Sequence, residues 1–161
     1  FTEKKNMVIF RGKVKGKPSR KLFMEMYFHH PMCDLGDVSK NTTDPAEWRT
    51  EKKTINEHLD YKFIMALEGI DVASNRKWVM SSNSIAVMPR PTCETWFMEG
   101  TLIPNYHYIE IKPDFSDLEE RLHYYIEHID ESLEIINHAH EYVSQFKDKR
   151  REYFKMTGQK S

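Results

Sequence analysis

The sequence predicts an α/β chain in which a parallel sheet is covered by helices, and three observations predict it. Short apolar runs closed by Gly or Pro alternate with stretches whose apolar residues recur at helical spacing. One run, YKFIMAL over residues 61–67, reads clearly as a buried strand. The order of elements is strand, helix, strand, turn, strand, helix, strand, turn, strand, helix, helix, an alternation that argues for parallel strands with helical crossovers.

Each element has its own reason. Residues 6–10 are mostly apolar and read as a buried strand. Pro18 suits a first helical turn, and Leu22, Phe23, Met26 and Tyr27 recur at helical spacing, so a helix is expected over 18–29, with Pro31 ending it. Residues 32–38 form a second candidate strand. The polar stretch 39–53, with Asn41, Thr42, Thr43, Asp44 and Pro45, reads as a loop, and 55–59 as a short helical turn. After the strand at 61–67 comes Gly69. A helix is then expected over 73–81 with Trp78, Val79 and Met80, and an apolar run at 84–88 stops at Pro89 and Pro91. A short helical piece is expected near 95–100, and 106–111 is rich in β-formers. Ser116-Asp117-Leu118-Glu119 has the capping-box pattern and opens a helix to about 128. A last helix spans about 131–146, with Leu133, Ile136, Val143 and Phe146 on one side. One domain over 1–146 is followed by a basic tail over 147–161.

Composition narrows the classes. The chain has 161 residues, 24 Lys plus Arg against 25 Asp plus Glu, and a net charge of -1, which gives no global case for nucleic acid. The 2 cysteines, Cys33 and Cys93, are too few for a disulfide framework and fit a reducing, cytoplasmic setting. No apolar stretch approaches the roughly 20 residues that cross a bilayer. The chain opens on Phe1 with no signal peptide pattern, and a piece of a longer protein is expected. His29-His30 and His138-Ala139-His140 do not face one way on a helix and are not expected to hold a metal. There is no Asp-x-Asp, no GxSxG, and no GxGxxG, so a metal-clamped sugar nucleotide, a serine hydrolase and a nicotinamide oxidoreductase all lack their signatures.

In a parallel sheet, ligands sit outside the carboxyl ends of the strands, beside helix N-termini. Three loops are therefore suspect. The first, RGKVKGKPSR over 11–20, concentrates glycine and positive charge between a strand and a helix. Glycines let backbone approach an anion, and Arg11 and Arg20 can grip phosphate oxygens, but a solvated basic turn explains the same composition. It does not have P-loop spacing. The second, EGIDVASNRKW, puts Ser74 and Asn75 at a helix start and Arg76 in its first turn, where a cation opposes the helix dipole; either an anionic ligand or an ordinary surface arginine accounts for it. The third, PRPTCETWFMEG, offers Glu94 and Glu99 for a ribose diol, and Trp96 and Phe97 to stack on a base or simply to pack.

Taken in order, FRGKVKGKPSR, LDYKFIMALEGIDVASNRKWVMSSNSIAVM and ETWFMEGTLIPNYHYIEIKPDFSDLEERL resemble the pattern of glycosyltransferase family 90. That family contains lipopolysaccharide-modifying glycosyltransferases, fungal capsule-associated proteins and animal protein O-glucosyltransferases. DVASNRKWVMSSNS and PNYHYI look like the bacterial members. The resemblance implies a GT-B-type enzyme with two Rossmann-like lobes. This chain would be the C-terminal, donor-binding lobe of an inverting glycosyltransferase, working on lipopolysaccharide or a related surface glycan. It implies that Arg11, Gly12, Lys13 and Arg20 face the donor, that Gly69, Ser74, Asn75 and Arg76 hold its diphosphate, and that Glu94 or Glu99 lies near the ribose. It implies a structural role for His107 and Tyr108. The chain departs from animal members at Lys13, where they carry a small hydroxyl residue, and its loop is one residue longer.

The implied donor is a UDP-sugar, with arginines and helix N-termini rather than a metal or other cofactor stabilising the leaving diphosphate. The implied catalytic base lies in the N-terminal lobe, so this portion is expected to bind donor and not to turn over alone. The implied partners are the donor, the glycan acceptor and that lobe; the tail can also touch anionic lipid at the inner membrane, return to the other lobe, or remain solvated. The competing reading is a non-catalytic nucleotide-binding or interaction module.

Overall fold

A computed structural model describes residues 3–40, 43–67, 78–90 and 101–145. Among them, β1 (Lys5–Gly12), α1 (Pro18–Tyr27), β2 (Cys33–Asp37), a 3-10 turn (Ala46–Trp48), α2 (Ile55–His58), β3 (Tyr61–Met65), β4 (Ile85–Met88), β5 (Ile109–Glu110), α3 (Leu118–Glu127) and α4 (Ile129–Ser144) follow in order. The strands form one sheet in the order β2-β1-β3-β4-β5, and every neighbouring pair is parallel. This is the α/β, Rossmann-like arrangement of a parallel sheet flanked by helices.

Side chains alternate across the sheet, so each central strand feeds two cores. Val8, Phe10, Phe63, Met65, Ile85 and Val87 pack on one face with Phe23 and Met24 of α1 and Leu118 and Leu122 of α3. Ile9, Ile64, Ala86 and Met88 pack on the other with Val79, Met80 and the α4 residues Ala139, Tyr142 and Val143. The two faces meet at α4, whose Ile135 and Ile136 belong to the first core. Tyr27 of α1 also donates its hydroxyl to the Phe115 carbonyl, tying α1 to the segment before α3.

Several details differ from the sequence expectations. In α1 the buried residues are Phe23, Met24 and Tyr27, whereas Leu22 and Met26 are exposed. In α4 Ile136 and Val143 are buried as expected, but Ser132 and Ile135 join them and Leu133 turns outward. Both helices keep the expected period but are rotated, because the partner surface sets the phase. Phe146 lies outside the described residues. The 39–53 stretch is not wholly loop, since it contains the 3-10 turn and buries Trp48.

The expected Ser116–Glu119 capping box does not form. The Asp114 carboxylate takes the Ser116 N–H and hydroxyl instead, Phe115 adopts φ 62°, and α3 starts after Asp117. The box forms at Thr54 and Glu57, each accepting the other's backbone N–H, at the start of α2. The late strand is also shorter than 106–111. Asn105 sits at φ 59°, and the Ile103 carbonyl accepts the N–H groups of both Tyr106 and His107, so the chain turns before it pairs.

Candidate functional site

The strand order locates the crevice. β1 connects through α1 to β2 on one side, and the chain then crosses β1 to lay β3 on the other. The connections therefore diverge at the carboxyl ends of β1 and β3, which is where such sheets bind ligands. A cavity of about 450 Å³ lies there, lined by residues 16–20 of the β1–α1 connection, Ala66 and Leu67 after β3, Pro89 and Arg90 after β4, and Pro113 after β5.

One wall is the N-terminus of α1. Lys17 is its N-cap and gives it no side-chain oxygen, Pro18 occupies the first turn, and that turn holds no acidic residue. Lys21 is paired with Asp44 at 3.3 Å, and a first turn with no acidic residue of its own and with Arg20 in it is electrostatically arranged for an anion from outside. Arg20 is fixed by two carbonyls: Nη1 donates to Lys13 at 2.9 Å and Nη2 to Leu67 at 3.2 Å. Its guanidinium lies over the Phe10 ring, 5.6 Å from the centroid. Burial lowers its pKa, yet an arginine remains cationic at neutral pH. Gly12 makes this placement possible, because a Cβ there would come within 2.8 Å of Phe10 Cζ and 3.2 Å of Arg20 Nη1.

The rest of the first loop faces inward. Fully buried Asp37, at the end of β2, accepts the Val14 N–H at 3.1 Å and the Ser39 N–H at 2.8 Å. Ser39 Oγ accepts the N–H groups of Val14 at 2.9 Å and Lys15 at 3.1 Å. Val14 is itself 1% exposed, so the loop is pinned by an apolar anchor and a polar clamp. Lys13 is exposed and contributes its carbonyl to Arg20. Asp37 and Ser39 were absent from the sequence reading; the Asp-x-Ser spacing, which suits an Asx-type turn, was the available signal.

Arg11 is held within the sheet. It donates to the Asp34 carbonyl at 2.8 Å, to the Phe10 carbonyl at 3.0 Å, and to Asp34 Oδ1 at 2.6 Å, with its side chain 8% exposed. Tyr61 donates its hydroxyl to the other Asp34 oxygen. Burial pushes the Asp34 carboxyl up, but the Tyr61 and Arg11 bonds outweigh it and hold the group below the usual aspartate range. Burial and the Asp34 bond push the Tyr61 hydroxyl up to about 12. Of these predicted residues Arg20 lines the crevice; Gly12 and Lys13 stand behind it, Gly12 against the Arg20 guanidinium and Lys13 through its carbonyl, and Arg11 belongs to a three-residue lock joining β1, β2 and β3. Gly69, Ser74, Asn75, Arg76, Glu94 and Glu99 lie outside the described residues. Arg90 and Pro113 are lining residues that the sequence reading did not single out.

The histidines have structural partners. His29 pairs with Glu47, His30 with Glu119, and His140 with the Ser82 carbonyl, while His138 stacks on Tyr106. His107 Nδ1 accepts the Ile103 N–H at 2.8 Å; burial, reinforced by His138, lowers its pKa. Among the described residues no three His, Cys, Asp or Glu side chains are grouped to hold a metal ion, and no helix is long and apolar enough to cross a membrane.

Fold and crevice together define an α/β domain of the doubly wound, Rossmann-like class, with a cationic crevice at its switch point. Within that class the chain belongs to glycosyl transferase family 90, whose model matches residues 1–154. It is similar to the O-glucosyltransferase LpsA of Dichelobacter nodosus, at 37% identity over 147 residues. That alignment covers 91% of this chain and 45% of LpsA, so the chain spans under half the length of that relative.

Proposed function

We propose that this chain is the donor-binding portion of an inverting, GT-B-type glycosyltransferase. The observation that carries the reading is the crevice at the β1/β3 switch point, where an uncapped helix N-terminus and a fixed arginine face the same space. A nucleoside diphosphate matches it in chemistry, and the family makes the diphosphate that of a nucleotide sugar. The name of the relative makes UDP-glucose the first donor to test.

In the proposed reaction an acceptor hydroxyl attacks the anomeric carbon, the bond from that carbon to the β-phosphate oxygen breaks, and its electron pair remains on the diphosphate. The α1 N-terminus and Arg20 stabilise that developing charge, with Gly12 and Lys13 shaping the loop behind it. Gly69, Ser74, Asn75 and Arg76 extend the diphosphate site, and Glu94 or Glu99 takes the ribose. Arg11 serves this site indirectly, by locking the strand that carries the loop. The base that takes the acceptor proton belongs to an N-terminal lobe, so this portion binds donor without turning over. The acceptor is lipopolysaccharide or a related glycan, and the setting is cytoplasmic.

Calorimetric titration with UDP, UDP-glucose and NADH tests the reading. Binding of the uridine nucleotides without added metal, and none of NADH, is expected. Binding of NADH alone would overturn it.

A further inference from the structure

We propose that Arg90 is a second cationic arm of the crevice, one that leaves Glu110 to take the ligand's phosphate when the site fills. The inference rests on the donor-binding reading above. Arg90 follows β4, and α1 follows β1; β3 lies between those two strands. At about 4.8 Å per strand spacing, the two walls stand roughly 10 Å apart, a gap that two arginine side chains can close on one diphosphate. Both Arg20 and Arg90 line the cavity.

The two arginines are held very differently. Arg20 is fixed by carbonyls, whereas the Arg90 side chain is 71% exposed and its ion pair is a single bond from Nε to Glu110 Oε1 at 3.1 Å. An exposed pair of this kind is weak, while a guanidinium–phosphate contact is charge-assisted and can be bidentate. The backbone beneath Arg90 is stiff, because it stands between Pro89 and Pro91 and a residue before proline is confined to extended conformations. The exchange also leaves Glu110 accompanied. Glu110 lines a neighbouring cavity of about 360 Å³ together with Lys112 and Arg121, and Pro113 is common to both cavities. In the proposed exchange Glu110 is left facing this second cavity, where Asp117 stands with Lys112 and Arg121.

Titration of the wild-type chain and of Arg90→Ala, Arg90→Lys and Glu110→Gln with UDP, uridine and inorganic pyrophosphate tests this, with thermal melting to establish that each variant is folded. Arg90→Ala is expected to weaken UDP and pyrophosphate roughly tenfold and leave uridine unchanged, and Arg90→Lys to restore part of the loss. Glu110→Gln is expected to tighten both phosphate ligands by about threefold, because it removes the competitor. Unchanged UDP affinity in Arg90→Ala overturns the inference and leaves the donor reading standing, as does a loss of affinity in Glu110→Gln. Pyrophosphate binding that depends on Arg90, with UDP binding no more tightly than pyrophosphate, supports the anion arm and overturns the nucleotide reading. Binding of neither overturns both.

Discussion

Arg11 and Arg20 belong to the same ten-residue basic stretch and end in opposite situations. Arg11 is on β1, and the sheet surrounds it with the Phe10 and Asp34 carbonyls and the Asp34 carboxylate, so its charge is compensated inside the protein. Arg20 lies in the first turn of α1 and donates to the carbonyl oxygens of Lys13 and Leu67, with the crevice beside it. Residue type is therefore a poor guide to which arginine can serve a ligand; its place in the fold, inside the sheet or at the crevice, is a better one.

The largest effect expected from this contrast is on stability. Arg11→Ala should destabilise the chain by about 3 kcal/mol in urea unfolding, because it strands a partly buried Asp34 and empties two carbonyls. Arg11→Lys should recover little of this, since an ammonium cannot span the same three acceptors. Arg20→Ala should invert the pattern. UDP affinity should fall by roughly 1.5–3 kcal/mol, the range for a hydrogen bond to a charged group, while stability falls by about 1 kcal/mol. Equal losses of stability in the two variants, with unchanged UDP binding in Arg20→Ala, would erase the distinction.

Acid sharpens the comparison further. The Asp34 pKa is depressed in the folded state, so its contribution is complete above the unfolded value of about 3.9 and is lost as pH falls through the lower folded value. Stability measured against pH should drop over that acid window in the wild type and less steeply in Arg11→Ala. The smallest effect expected is at the far edge of the sheet. His107 has a lowered folded pKa and accepts a backbone N–H, so folding favours its neutral form. Stability should therefore decline as pH falls below about 6.5, and His107→Gln should flatten that decline.

Much of the architecture was legible because periodicity is local. The strand at 61–67, the Pro18 helix start and the stops at Pro31 and Pro89 each rest on a few neighbouring residues, and β3, α1 and β4 lie where those signals put them. Helix phase was less legible. Leu22, Met26 and Leu133 satisfy the same spacing as Phe23, Met24 and Ile135, and only the docking surface selects between them. The capping box shows the same limit: two pairs, Ser116/Glu119 and Thr54/Glu57, have the spacing, but Asp114 takes Ser116 while Thr54 is left to Glu57.

By itself the sequence determined the class of fold, the order of its elements, the family to which the chain belongs and the loop in which cationic chemistry gathers. These follow from patterns within a few residues or from ordered motifs along the chain. Tertiary structure decided which charges are internal. Along the chain Asp34 and Tyr61 are 23 and 50 positions from Arg11, Asp37 is 23 from Val14, and Leu67 is 47 from Arg20. Parallel pairing brings such partners together only when the whole sheet has formed, so no local window of sequence could tell the locked arginine from the one at the crevice.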